Sequence, residues 1–264
     1  MCLIAWRWQP EAFESLVLLS NRDEFHDRPA TALAKWADAP IYAGRDERAG
    51  GTWLGVSPTG RLAAITNFRT PQPPHANAPS RGHWVQDFLC ATQSAAEYAA
   101  HLQQHAHAYN PFNLLLFDGL AMWGVQGRGD EVSIVALSPG VGSVSNAGFN
   151  SPWPKQRWLT ASLKAQLQHQ TPSNDDLLDL LLDRREAPVD TLPDTGVGLE
   201  KEKSLSPVFV QMPGYGTRAS TLVRWGVQEV VMQERSFDAN GQLSACVAEV
   251  RVPIAPRAHQ VHGT

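Results

Sequence analysis

The residue with the plainest capacity for chemistry is Cys2, which follows Met1 and opens the apolar run CLIAWRW. Methionine removal is favoured where the next residue is small, and cysteine qualifies. The product carries a thiol and an α-amine on one residue. An α-amine titrates near ~7.7–8.0, so at neutral pH part of it is a free base beside the nucleophile. The plain alternative is an inert residue at the start of a buried strand. Cys2 by itself leaves both open.

After a second apolar run, SLVLLSN, comes NRDEFHDRP. Arg22 at that strand end can lower a thiol pKa or hold a carboxylate, and Asp23 can anchor or orient an N-terminal ammonium. A solvated turn with a local ion pair accounts for the same residues. Asn67 closes the run RLAAITN and Asn146 closes GVGSVSN. Amide donors at strand ends suit an oxyanion, though asparagine is also a common turn former. Arg218 follows two glycines in PGYGTRAST, where the backbone can bend closely around a ligand; a structural turn with an exposed arginine is the alternative.

Other candidates read as structure. His101 and His105 flank an apolar helical stripe and His107 lies past it, which describes a solvated helix face rather than a metal centre. GRGD at 127–130 reads as a hairpin turn, and GYG lacks the strand–helix context of a phosphate loop. A net charge of −4 with no basic block argues against nucleic-acid binding. Neither a signal peptide nor a membrane span is visible. Cys2, Cys90 and Cys246 are far apart and in no metal-finger spacing, which suggests reduced thiols in a cytoplasmic compartment. Nine tryptophans are more than a chain of this size needs, and some are expected to line a pocket for an apolar or aromatic ligand.

The elements that must position these residues are mostly strands. CLIAWRW and SLVLLSN read as a hairpin, as do GGTWLGVS and RLAAITNF around Pro58 and Gly60. RTPQPPHANAPSRG is a loop or lid. Ser94 and Glu97 form a capping box ahead of Ala95, Tyr98, Ala99 and Leu102, spaced for one buried helical face. NLLLFDG, MWGVQG and EVSIVAL return to strand character. Helices are expected after Pro154 and over SNDDLLDLLLDRR, followed by a polar connection, DTGVGLEKEKS. SPVFVQ, YGTRASTLVRW, VQEVVMQERS and ACVAEVRV are strands again. No linker divides the chain, so residues 1–264 read as one α+β domain.

Taken together, MC, NRDEFHDRP, AGRDERAGGTWLGVSPTGRLAAITNFR, SNAGFNSPWPK, PGYGTRASTLV and ERSF resemble the NRDE family, which includes transport-and-Golgi-organization proteins and has been linked to haem handling and lipid metabolism. A more distant resemblance is to N-terminal-nucleophile (Ntn) hydrolases of the choloylglycine hydrolase and penicillin V acylase type, which begin Met-Cys. That resemblance implies a four-layer αββα sandwich with Cys2 as nucleophile. It matches Arg22 to an arginine after the second strand, Asn67 to an oxyanion-hole asparagine, Asn146 to the asparagine of a Thr-Asn-Ser-Pro segment, and Arg218 to a C-terminal arginine. The acid falls on Asp23 or Glu24, one or two places earlier than in those enzymes.

The implied activity is cleavage of a non-peptide C–N amide bond in a small-molecule substrate, with no cofactor required. The alternative is a carrier of haem or an acyl ligand on the same scaffold. Three geometric expectations follow: Arg218 lies within reach of Cys2; Asn67 and Asn146 point into one pocket with Cys2 at its base; and Cys2 is alkylated faster than Cys246 within its strand or Cys90, expected on a buried helix face.

Overall fold

A computed structural model describes residues 2–169 and 172–254, apart from the side chains of His169, Ala245 and Cys246. Met1, and with it the question of its removal, lies outside the described residues. The chain begins with the hairpin β1 (Cys2–Trp8) and β2 (Leu16–Phe25), then β3 (Ala30–Lys35), β4 (Tyr42–Asp46), β5 (Leu54–Ser57) and β6 (Arg61–Asn67). Helices α1 (Gly82–Cys90) and α2 (Ala95–Gln103) lead to β7 (Phe112–Phe117), β8 (Met122–Arg128), β9 (Glu131–Leu137) and β10 (Gly140–Val144). Helices α3 (Pro154–His169), α4 (Asn174–Asp179) and α5 (Leu199–Ser204) precede β11 (Gln211–Met212), β12 (Tyr215–Trp225), β13 (Glu229–Phe237) and β14 (Leu243–Pro253).

The strands form two seven-stranded antiparallel sheets. One is a meander from β3 to β9 in chain order. The other has the order β10-β1-β2-β12-β13-β14, with β11 paired to β12. The β1–β2 hairpin thus sits inside a sheet, between β10 and β12, which come much later in the chain.

Side-chain alternation explains the layers. On β1 and β2, Ile4, Trp6, Trp8, Leu16 and Leu18 face the second sheet and pack on Trp53, Leu54, Leu62, Leu115 and Phe117. Leu3, Ala5, Val17 and Leu19 face the other way, onto Leu159 and Leu163 of α3 and the leucines after Ser173. Both faces are buried, so the strands read as continuous apolar runs. The meander's outer face, Ala63, Ile65, Leu114 and Leu116, is covered by α1 and α2. The result is the expected α+β four-layer αββα sandwich.

Local signals hold where they are strongest. Ser94 and Glu97 form both hydrogen bonds of the capping box. Other expectations fail for identifiable reasons. The helix from Asn174 stops at Asp179, with a single 3-10 turn over Leu180–Leu182, because the Asp183 carbonyl accepts from the Phe209 N–H (2.8 Å). The polar connection contains α5, which is preceded by Gly198 (φ 89°) and buries Glu202 against Arg69. SPVFVQ is a buried but largely irregular segment, with only its last residue, Gln211, in a strand.

Candidate active site

The alternation that builds the layers also divides the NRDE motif. Asn21 faces the helical layer, where its amide donates to the carbonyls of Leu181 and Val208 (2.9 Å each) and accepts from Ser220 (2.6 Å). Asn21 is a bolt between sheet and helices. Arg22 is paired in register with Cys2. Its guanidinium lies over the Trp53 ring (4.2 Å) and meets Asp46 at 3.4 Å. Asp23 turns back toward the helices and is almost fully buried, accepting from the Thr217 hydroxyl (2.7 Å). Glu24 is more exposed and meets Arg28 at 3.8 Å. Of the two candidate acids, Asp23 is the one that contacts the cysteine: its backbone N–H hydrogen-bonds the Cys2 thiol.

Cys2 lies at the base of a cleft of about 460 Å³. One wall is the end of the β1–β2 hairpin. A second is the Pro-rich segment 69–82, fastened where the His75 N–H and carbonyl bond the Asn110 side chain (2.8 and 3.0 Å). The connection from β4 to β5 forms a third. Gly51 and Gly82 meet where two walls touch. A Cβ on Gly51 would lie 2.7 Å from the Gly82 carbonyl carbon, and one on Gly82 would lie 2.8 Å from the Thr52 carbonyl oxygen. Only glycine fits this backbone-to-backbone approach.

Asn67, at the end of β6, lines the cleft, and among the described residues nothing pairs with its side-chain amide. Asn146 does not reach the cleft. It is fully buried, and its Nδ2 donates to the Asn67 carbonyl (2.8 Å). Next to it, the Ser145 hydroxyl donates to the Cys2 carbonyl (3.0 Å). The two asparagines are therefore coupled, one presenting a donor and the other holding its backbone.

Arg218 is also outside the cleft lining. It is the extra residue of a β-bulge between Thr217 and Ala219, and its Nη1 donates to the carbonyls of Phe25, His26 and Arg28 at 3.1–3.3 Å. The bulge re-aims it onto the end of β2. Its neighbour Thr217 makes the contact to Asp23.

The electrostatics depart from the simple picture in which Arg22 makes a standing thiolate. Burial pushes the Cys2 thiol up, outweighing Arg22 and the Asp23 N–H. Burial also pushes the Asp23 carboxyl up, opposed chiefly by the Lys155 ammonium. Lys155 itself is buried, donates to the Leu205 carbonyl (3.1 Å), and is lowered by burial to about 8. Behind it Arg69 and Glu202 form a buried ion pair. Lys155 and Arg69 escaped the sequence reading; the available signal was the place of Lys155 in SPWPK. Burial in this setting therefore favours the protonated form of the Cys2 thiol.

One further expectation is corrected. Cys90 is exposed, because the buried stripe of α1 is Trp84, Val85, Phe88 and Leu89 and the next residue turns away from it. The cysteine order expected for alkylation therefore does not follow from burial. Of the nine tryptophans, only Trp53 lines the cleft. His101 and His105 are exposed, with rings 4.7 Å apart. Among the described residues no helix is long and apolar enough to cross a membrane.

Fold and site define a four-layer αββα protein whose first strand carries a cysteine into a charged cleft. The chain belongs to the TANGO2 family: the family model for Transport and Golgi organisation 2 matches residues 1–239. The Transport and Golgi organization protein 2 homologs of Bos taurus and Homo sapiens are each 32% identical over 243 residues, covering 84% of this chain and 88% of the relative. The Drosophila melanogaster protein is 34% identical over 117 residues, 40% of this chain and 41% of its own.

Two solved structures are similar to the fold. One is a Caenorhabditis elegans ortholog of N-acylethanolamine-hydrolyzing acid amidase (TM-score 0.48, 10% identity, 84% of this chain and 92% of that one). Another is a mutant conjugated bile acid hydrolase of Clostridium perfringens (TM-score 0.46, 10% identity, 95% and 92%).

Proposed function

We propose that this protein is an Ntn-type amidohydrolase that cleaves a non-peptide C–N amide bond in a small molecule. The observation that carries the reading is the placement of Cys2 at the base of a cleft that also presents the unpaired amide of Asn67. With Met1 removed, the α-amine of Cys2 takes the thiol proton as the sulfur attacks the amide carbonyl. Asn67 donates to the oxyanion, and Asn146 holds Asn67 in place. The amine returns the proton to the leaving nitrogen, giving a free amine and a thioester on Cys2. Water then hydrolyses the thioester to the acid and restores the thiol. Asp23 is positioned to hold the α-ammonium form, and Lys155 behind it limits the negative charge next to the sulfur.

The alternative, a carrier of haem or an acyl ligand, draws its support from tryptophans around a pocket. The cleft lining is instead rich in charged residues, with one tryptophan.

Three measurements test the hydrolase. Mass spectrometry of the natively expressed protein should find Cys2 as the first residue. Turnover of a panel of N-acyl amides should fall at least ~10³-fold in Cys2→Ala, as expected for loss of a nucleophile. Iodoacetamide should label exposed Cys90 before buried Cys2, whereas an acylating amide analogue that enters the cleft should label Cys2 first. A retained Met1, or turnover that survives Cys2→Ala, rules the mechanism out.

A further inference from the structure

The cleft contains three arginines in unequal circumstances. Arg22 is paired with Asp46 (3.4 Å) and covered by Trp53. Arg28 meets Asp46 at 2.6 Å and Glu24 at 3.8 Å. Arg81, at the end of the Pro-rich wall, has no such partner. Its Nη1 donates to the Pro111 carbonyl (3.0 Å), and among the described residues no carboxylate lies at ion-pair distance from it.

Arg81 has nonetheless left most of its water. Burial lowers it from the usual arginine range, and its charge is felt by the Cys2 thiol in the same cleft. Glu24 also acts on it, but that carboxylate is turned to Arg28. A desolvated cation without a counter-charge is costly, and a ligand anion offsets the cost. The free part of a guanidinium is a planar fork that suits a carboxylate better than any neutral group. His83, beside Arg81, is no competitor, since its Nε2 is bonded to the Ala49 carbonyl (2.9 Å).

We infer that Arg81 receives a carboxylate of the substrate, so that the amide brought to Cys2 is an acid-bearing one, such as an N-acyl amino acid. The word substrate rests on the hydrolase reading; the anion site does not.

The test is therefore binding, measured on inert Cys2→Ala protein by isothermal titration. The probes are N-hexanoylglycine and its neutral counterpart N-hexanoylglycinamide. N-butylsuccinamic acid, with the acid on the acyl side of the amide, is the third probe. At least one acid should bind roughly tenfold or more tightly than the neutral amide, the range for a hydrogen bond to a charged group. Which acid binds better tells which side of the amide faces Arg81.

Adding Arg81→Gln should remove the preference, and Arg81→Lys should keep part of it, with thermal unfolding showing that each protein is folded. Equal binding of acid and amide, no acid binding at millimolar concentration, or a preference that survives Arg81→Gln overturns the inference. Hydrolysis by the wild-type protein is read separately. An acid preference without turnover sinks the hydrolase and leaves the anion site; turnover without preference does the reverse.

Discussion

The β1–β2 hairpin has two ends, buried alike and built for opposite purposes. At the turn end, Trp8 and Leu16 pack with Phe117 and Trp225 in the layer between the sheets. Above that turn lies a groove of about 880 Å³, lined by Phe13 and Val227, where the Arg7 and Arg224 guanidiniums both meet Glu14. At the open end, the same two strands bury Cys2, Arg22 and Asp23, with Lys155 behind them. Apolar burial contributes roughly 1.5–3 kcal/mol for each large side chain. Buried charges give little net stability, because desolvation cancels most of the attraction. One end of the hairpin holds the fold together, and the other concentrates reactive groups at a cost in stability.

The largest effect that would separate the two ends is expected at Trp8. Trp8→Ala should lower stability by about 3–5 kcal/mol, read by urea unfolding, while turnover per folded molecule stays close to wild type. Asn67→Ala should do the converse. It should lower kcat by ~10²–10³ through loss of an oxyanion donor, with little change in melting temperature, because its side chain bonds nothing among the described residues.

The smallest effect sharpens the comparison from within the apolar layer. Glu234 is a buried carboxylate that accepts from the Leu33 N–H (2.8 Å) and the Thr221 hydroxyl (3.1 Å), tying one sheet to the other. Burial raises it above the ordinary glutamate range. The folded state therefore holds the proton to higher pH than the unfolded chain. This contribution to stability is greatest below the unfolded pKa and is lost as pH rises through the folded one. Glu234→Gln should remove that slope and change stability at neutral pH by no more than about 1 kcal/mol, measured by denaturation across pH.

How much of this was legible in the sequence follows from the range of the forces involved. The hairpins, the capping box at Ser94 and the strand-end positions of Cys2 and Asn67 depend on local pattern, and all are visible there. The exposed side of Cys90 was also available from helical spacing, since it lies one residue past the buried stripe; apolar neighbours obscured it. Arg218 was not available, because a one-residue bulge shifts the pleat and only the pairing of β12 with β2 reveals it. Lys155 reads as a surface lysine at the start of a helix until Asp23 is brought beneath it. Arg81 lies in a segment without periodicity, where no pattern marks a residue as cleft-lining. Local rules placed the strands; long-range contacts decided which charges meet.

The position of β1 inside its sheet has a consequence in time. Cys2 is closed in by Ser145 after β10 and by Asp23, which needs Thr217 of β12. At ~5–20 residues per second, roughly 10–45 s of synthesis separate Cys2 from Trp225. Throughout that interval the thiol has no lid. A processing peptidase has its best access then, and an oxidant has the same opportunity. A strand made before β2 to β12 is thus among the last to be sealed, and completion of the cleft waits on the synthesis of β12.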